Sequence, residues 1–253
     1  MELIDKFVKE IKEGHFPRYL YKFRKFDDFS DSIFTSKSLW FSDSESFNDP
    51  FDCNLSETRN HKIPELRRYL ESFGDDHSNA NEIIKKAKKD KNFMRDLAIT
   101  ARKESLKKYG ILSLSESHEN ILMWSHYAEN HTGFVMCFDL LKDPDYFKGP
   151  IRVVYQDFYG EQNYYKYRNE SVIASISTKS SLWSYEREIR LIKQEVGLKK
   201  FDKDSVCKIY FGVRSEEANI SNLKSVLNRE GYNVKYFIAK LKHGKFELGF
   251  HKM

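Results

Sequence analysis

Cysteine, proline and glycine are all scarce in this chain, at three, five and eleven of 253 residues. The three cysteines, Cys53, Cys137 and Cys207, are odd in number and far apart, which suits reduced thiols in a cytoplasm. None forms a Cys-x-x-Cys pair, so a thiolate zinc site is not expected. With so little Pro and Gly, and with 20 Phe and 15 Tyr, disorder is excluded as the dominant state. No apolar run approaches the roughly 20 residues that cross a bilayer; stretches such as Gly133-Phe134-Val135-Met136-Cys137-Phe138 are short. The start, Met1-Glu2-Leu3-Ile4-Asp5-Lys6, is acidic and has no apolar segment of the kind a secretory signal needs. Also missing are Gly-x-Gly-x-x-Gly, the Walker-type Gly-x-x-x-x-Gly-Lys, Gly-x-Ser-x-Gly and His-Glu-x-x-His. Nucleotide binding through those loops is thereby excluded. The expectation is a soluble, cytoplasmic protein.

What is present is a chain 40% hydrophobic and 15% aromatic, enough for one sizeable core. Its formal net charge of +5 is concentrated: residues 57–110 hold 14 Lys/Arg against 9 Asp/Glu, while the remainder has 29 of each sign. That stretch has the spacing of amphipathic helices over 63–73 and 82–109, with a polar break at Gly74-Asp75-Asp76-His77-Ser78-Asn79 and a stop at Gly110. It reads as a basic helical insertion. Its Lys85-Lys86-Ala87-Lys88-Lys89 run is first a solvated helix face; a phosphate contact through residues 85–108 is the sharper alternative.

Around the insertion, short strands are expected at 19–24, 38–42, 111–115, 134–138, 151–155, 184–192 and 206–212. Helices are expected at 2–13, 27–36, 123–131 and 215–229, the last capped by Ser215 and stopped by Gly231. Residues 234–241 and 245–250, joined at His243-Gly244, read as a terminal hairpin. Unequal helices interrupting short strands predict one α+β domain over residues 1–253, with a mixed or antiparallel sheet.

Four constellations carry the chemistry. In Ser184-Tyr185-Glu186-Arg187-Glu188-Ile189-Arg190, a strand puts Glu186, Glu188 and Arg190 on one face, with Arg190 placed to neutralise Glu188. The bland alternative is an edge strand whose charges pair with neighbours. Asn48-Asp49-Pro50-Phe51-Asp52 is either a tight Asx turn or a ligand loop. In Met123-Trp124-Ser125-His126-Tyr127-Ala128 with His131 and Gly133, Trp124 and Tyr127 share a helix face. His126 and His131 are five apart, the wrong spacing for a helical zinc pair. Leu20-Tyr21-Lys22-Phe23-Arg24 alternates basic and aromatic residues, as an amphipathic edge strand or as a basic wall for a phosphorylated ligand.

Taken with Leu39-Trp40-Phe41-Ser42, these motifs, which follow one another in the sequence from 20–24 through 39–42, 48–52 and 123–133 to 184–190, make the chain over roughly residues 18–215 resemble the bacterial domain-of-unknown-function family twenty-nine seventy-one. Their layout is similar to that of ADP-ribosyltransferases: an early basic and aromatic strand, a second strand with Ser or aromatic residues, and a late Glu-x-Glu. The resemblance implies an ADP-ribosyltransferase-like fold and consumption of NAD, extending to a toxin or anti-phage effector. Glu188 would match the invariant glutamate of those enzymes and Glu186 the position two before it. Lys22 or Arg24 would stand for their first-strand cation, and Ser42, or Ser113 and Ser115, for their serine motif. The chain differs in placing Lys22 after Tyr21 where Arg or His is usual, and in lacking Ser-Thr-Ser. Catalytic Glu188 and Glu186 are thus joined by candidate NAD-binding residues Tyr21, Lys22, Arg24, Ser42, Asn48, Asp49, Trp124, His126, Tyr127, His131 and Arg190. The acceptor would be protein or nucleic acid.

Two other classes compete. Asp49, Asp52 or Asp139 with Glu186 and Glu188 suggests a Mg²⁺-dependent nuclease served by the basic insertion. Tyr159, Tyr164, Tyr165 and Tyr167 suggest a non-catalytic sensor with an aromatic contact surface.

Overall fold

A computed structural model describes residues 2–73 and 77–253, so residues 74–76 of the expected polar break lie outside it. The chain opens with α1 (Glu2–Lys12), β1 (Tyr19–Arg24), α2 (Ser30–Ser36) and β2 (Ser38–Phe41). Three helices follow, α3 (Ile63–Glu71), α4 (His77–Lys89) and α5 (Lys91–Leu106), then β3 (Tyr109–Ser115), α6 (Ile121–Tyr127) and β4 (Phe134–Asp139). Next come α7 (Pro144–Phe147), β5 (Ile151–Arg152), β6 (Val154–Gln156), α8 (Arg168–Ser177), β7 (Thr178–Ser180), β8 (Glu188–Gln194) and β9 (Gly197–Lys200). β10 (Val206–Phe211), α9 (Glu217–Arg229), β11 (Lys235–Leu241) and β12 (Leu248–Lys252) complete the chain. The fold is mixed α and β, as the pattern of short strands and unequal helices predicts.

Eight strands form one sheet in the order β12-β11-β10-β4-β1-β3-β8-β5. Only β10 and β11 run parallel, joined by the crossover helix α9; the other neighbours are antiparallel. β2 with β9 and β6 with β7 make two small ribbons beside it. On one face, Leu20, Phe134, Met136, Phe138 and Leu191 pack under Phe7, Phe34 and Leu223 from α1, α2 and α9. On the other, Phe23, Val135, Cys137 and Tyr210 pack under Trp124 and Ala128. β4 is therefore buried at all six positions, which is why residues 134–138 are an unbroken apolar run and the sixth residue, Asp139, is paired with Arg18.

The basic stretch is helical, but it holds two helices where the spacing predicts one over 82–109. Asp90 is extended and accepts from the Asn92 amide, ending α4 and capping α5. Leu66, Ile84, Ala87, Met94, Ala98 and Leu106 turn inward against Tyr164, Val172 and Ile176. Gly110 lies inside β3 rather than stopping a helix. Two other boundaries move for identifiable reasons. α9 starts at Glu217 because the Ser215 hydroxyl is turned away from it, donating to the Thr132 and Gly133 carbonyls. The terminal hairpin forms, with its second strand starting at Leu248 instead of residue 245. Among the described residues no helix is long and apolar enough to cross a membrane.

The expected helix over 123–131 stops at Tyr127, because Glu129, Asn130 and His131 are all left-handed, with φ of 48°, 55° and 71°. That reversal brings the backbone hard against the sheet. A Cβ on Gly212 would strike the His131 carbonyl, and one on Gly133 the Arg24 carbonyl. Both partners are backbone and have little room to yield. Gly212→Ala is accordingly expected to lower the unfolding free energy by about 1–3 kcal/mol, read as a reduced urea midpoint. Alanine at the open Gly160, where the nearest atom is a side-chain end 3.7 Å away, is the control that should change little.

Candidate functional site

The central sheet is split. β1 pairs with β4 at six positions and β3 pairs with β8 at seven, yet β1 meets β3 only at Tyr21 and Ser115. Beyond that point the strands diverge, and Lys22 Nζ spans the gap to donate to the Ser113 carbonyl at 2.9 Å. A cleft of about 310 Å³ opens there, lined by Tyr21, Lys22 and Phe23 on one side and by residues 111–115 on the other. Ser42, Phe47, Asn48, Tyr127, Lys179, Glu186 and Glu188 are among the residues that also line it.

At one end of the cleft sits a buried group of charges. Arg190, fully buried, forks onto two carboxylates: Nη1 and Nη2 reach Asp52 Oδ1 and Oδ2 at 2.9 and 2.7 Å, and Nε reaches Glu188 Oε1 at 2.7 Å. The Phe47 ring covers the guanidinium with its centroid 5.1 Å away. Lys179 Nζ lies 2.5 Å from Glu186, 3.2 Å from Glu188 and 3.6 Å from Asp52. Glu186 also accepts from the Tyr127 hydroxyl at 2.6 Å. Three carboxylates therefore share two buried cations in a geometry that satisfies both guanidinium edges.

Glu186 and Glu188 meet here by a route the alternation pattern does not describe. Residues 181–186 form a 3-10 turn, Arg187 is left-handed with φ of 46°, and β8 begins only at Glu188. The left-handed residue swings Glu186 back beside Glu188. The Ser115 hydroxyl fixes the corner by donating to the Glu186 carbonyl at 2.6 Å. Ile189 and Leu191 then point into the core, whereas Tyr185, on the turn, bonds His126 Nδ1 at 3.0 Å.

Burial opposes the charge on Glu188, but Arg190 and then Lys179 outweigh it and hold its carboxyl at about 2, against an ordinary 4.5. Burial dominates at Glu186 and raises its carboxyl above the usual range despite Lys179. Two carboxyls side by side are thus pushed in opposite directions, a pattern found where one group must stay ionised and the other exchange protons. Lys22 is lowered from 10.5 to about 8, by burial first and by the neighbouring Arg24 charge second. Because Glu188 binds its proton less readily folded than unfolded, its contribution to stability is present above about pH 4.5 and lost as pH falls toward about 2. Glu188→Gln is expected to flatten that part of the stability profile, measured as urea midpoints between pH 5 and 2 on both proteins.

Of the thirteen residues singled out from sequence, the cleft lining brings together Tyr21, Lys22, Ser42, Asn48, Tyr127, Glu186 and Glu188. Arg190 lies directly behind it, clamping Glu188. The others have different work. Trp124 is buried in the core and donates through Nε1 to the His118 carbonyl at 2.7 Å, so it is no stacking wall. Asp49 makes an Asx turn, accepting from the Phe51 amide at 2.9 Å. Arg24 lies near Asp27, at 3.7 Å. His126 contacts Tyr185 beside the cleft, and His131 Nε2 lies 3.1 Å from Ser125 Oγ, within the α6 reversal.

Sequence reasoning missed Lys179. Nothing in Thr178-Lys179-Ser180 marks it, because its significance comes from partners 7 and 9 residues on and from Asp52. Among the described residues no set of three or more His, Cys, Asp or Glu is arranged to hold a metal ion. Asp139, one of the carboxylates considered for Mg²⁺, is instead taken up by Arg18 at 2.7 Å. In the basic helices, Arg102 is buried against Glu57, Lys86 pairs with Glu82 and Lys107 with Glu104, leaving Lys85, Lys88 and Lys89 exposed. Tyr164 and Tyr165 are buried, while Tyr159 and Tyr167 are exposed.

Residues 123–191 match the family described as protein of unknown function (DUF2971), which supports the resemblance drawn from the motifs. The matched span takes in α6 from Met123 onward and both glutamates but leaves β1 and the Asn48–Asp52 loop outside it. Neither a curated protein nor a solved structure matches the chain.

Proposed function

We propose that this protein consumes NAD, breaking the bond between nicotinamide and ribose and passing ADP-ribose to an acceptor. The observation that carries the reading is the pair Glu186 and Glu188, held at one end of a cleft whose opposite strand presents Lys22. A volume of about 310 Å³ falls in the range of small-molecule sites and suits the nicotinamide-ribose half of the dinucleotide.

In this reading the carbon–nitrogen bond breaks with its electron pair leaving on the nicotinamide nitrogen. Positive charge then builds on the ribose. Glu188, ionised and immobilised by Arg190 and Lys179, stabilises that charge without having to reorganise. Glu186, with its raised pKa, takes the proton of the attacking acceptor. Tyr127 and Phe47 offer faces for the nicotinamide ring, and the Lys22 ammonium faces the diphosphate.

Nicotinamide release, followed with protein, DNA and RNA acceptors and with water alone, tests the reading. Turnover with at least one is expected, and its absence with all four overturns it. Because Lys22 loses its charge near pH 8, KM for NAD should rise as pH increases through about 8. A KM unchanged up to pH 10 would remove Lys22 from diphosphate binding.

A further inference from the structure

Cys137 on β4 and Cys207 on β10 lie on adjacent antiparallel strands with their sulfurs 3.6 Å apart. That is about 1.5 Å longer than a disulfide bond. A β-bulge between Val206 and Lys208 places Cys207 out of regular register and turns its side chain toward Cys137. Cys137 is fully buried and Cys207 half-buried, so an oxidant reaches only the second. Cys137 also sits directly opposite Tyr21 in the β1–β4 ladder. Tyr21 is the residue that joins β1 to β3 and lines the cleft.

We propose that Cys137 and Cys207 are a peroxide-sensitive thiol pair whose disulfide alters the cleft through Tyr21. A hydroperoxide oxidises the Cys207 thiol to a sulfenic acid, releasing water or an alcohol. The Cys137 thiol attacks that sulfur, forming the S–S bond and expelling water. Two thiols give up two electrons and two protons, and the peroxide is reduced. The chemistry is matched to the pair: a hydrogen bond with Cys137, aided by the Lys208 charge, lowers the Cys207 pKa, while Cys137 is held protonated. Closing the bond draws Cys137 toward β10 and so shifts the β4 position paired with Tyr21, the one point where the two halves of the sheet meet.

The test treats the full chain with hydrogen peroxide, then denatures and alkylates it. Intact mass should show one alkylated thiol, Cys53, and a protein lighter by two hydrogens, with all three thiols recovered after dithiothreitol. Three alkylated thiols after peroxide, or oxygen added to Cys207 with Cys137 still free, overturns the pair. Hydrogen exchange at β1 and β3 reads the coupling without reference to turnover, and faster exchange is expected in the oxidised protein. Unchanged exchange overturns the link to the cleft. If the NAD reading also holds, oxidation should change nicotinamide release at least about fivefold, and Cys207→Ser should be insensitive to peroxide. Failure of turnover in the reduced protein would count against the NAD reading alone, since the thiol count and the exchange measurement stand without it.

Discussion

Glu188→Gln is expected to reduce nicotinamide release from NAD by on the order of 100-fold or more. The substitution keeps the size of the side chain and removes its charge, so what is lost is the fixed negative end that the developing ribose cation would face. The fold should survive, because Arg190 retains its bidentate contact with Asp52 and Lys179 retains Glu186. Circular dichroism and the urea midpoint at pH 7 separate the two effects. A variant with native stability and native turnover would show that Glu188 does no chemistry.

Arg190→Met carries the largest expected cost in stability, about 3–5 kcal/mol. The guanidinium satisfies Asp52 and Glu188 together and donates to the Ile176 carbonyl at 2.6 Å, all without exposure to water. Methionine fills much of the same space but leaves Lys179 as the nearest cation for three buried carboxylates. Arg190→Lys should fall between the two, because an ammonium keeps the charge yet cannot fork onto both partners. A urea midpoint for Arg190→Met within error of wild type would mean the clamp contributes nothing net. Adding Asp52→Asn to Arg190→Met should recover part of the loss, since one orphaned charge is then removed.

Much of the fold was legible because local pattern and final environment agree. Residues 134–138 of β4 read as an unbroken apolar run and are buried on both faces; α9 and the closing hairpin follow from periodicity and turn residues. The site was legible only in part. Glu186 and Glu188 were found by assuming a strand, but their meeting depends on a left-handed Arg187, and no sequence period encodes that. Trp124 looked like a ligand face because its helix position matches that of Tyr127. The reversal at 129–131 instead folds that side of α6 onto Phe23 and Phe250. Lys179 and the split between β1 and β3 left no trace, since both arise from segments brought together across the fold. The carboxylates' strongest alternative use, metal binding, is opposed by the same unseen residue: a lysine ammonium lies at their centre.

A crystal structure with a non-hydrolysable NAD analogue tests the central claim most directly. The nicotinamide-ribose should lie in the opening between β1 and β3, with a ribose hydroxyl bonded to Glu188 and the diphosphate toward Lys22. An analogue bound elsewhere, or a cleft left empty at saturating concentration, would contradict it.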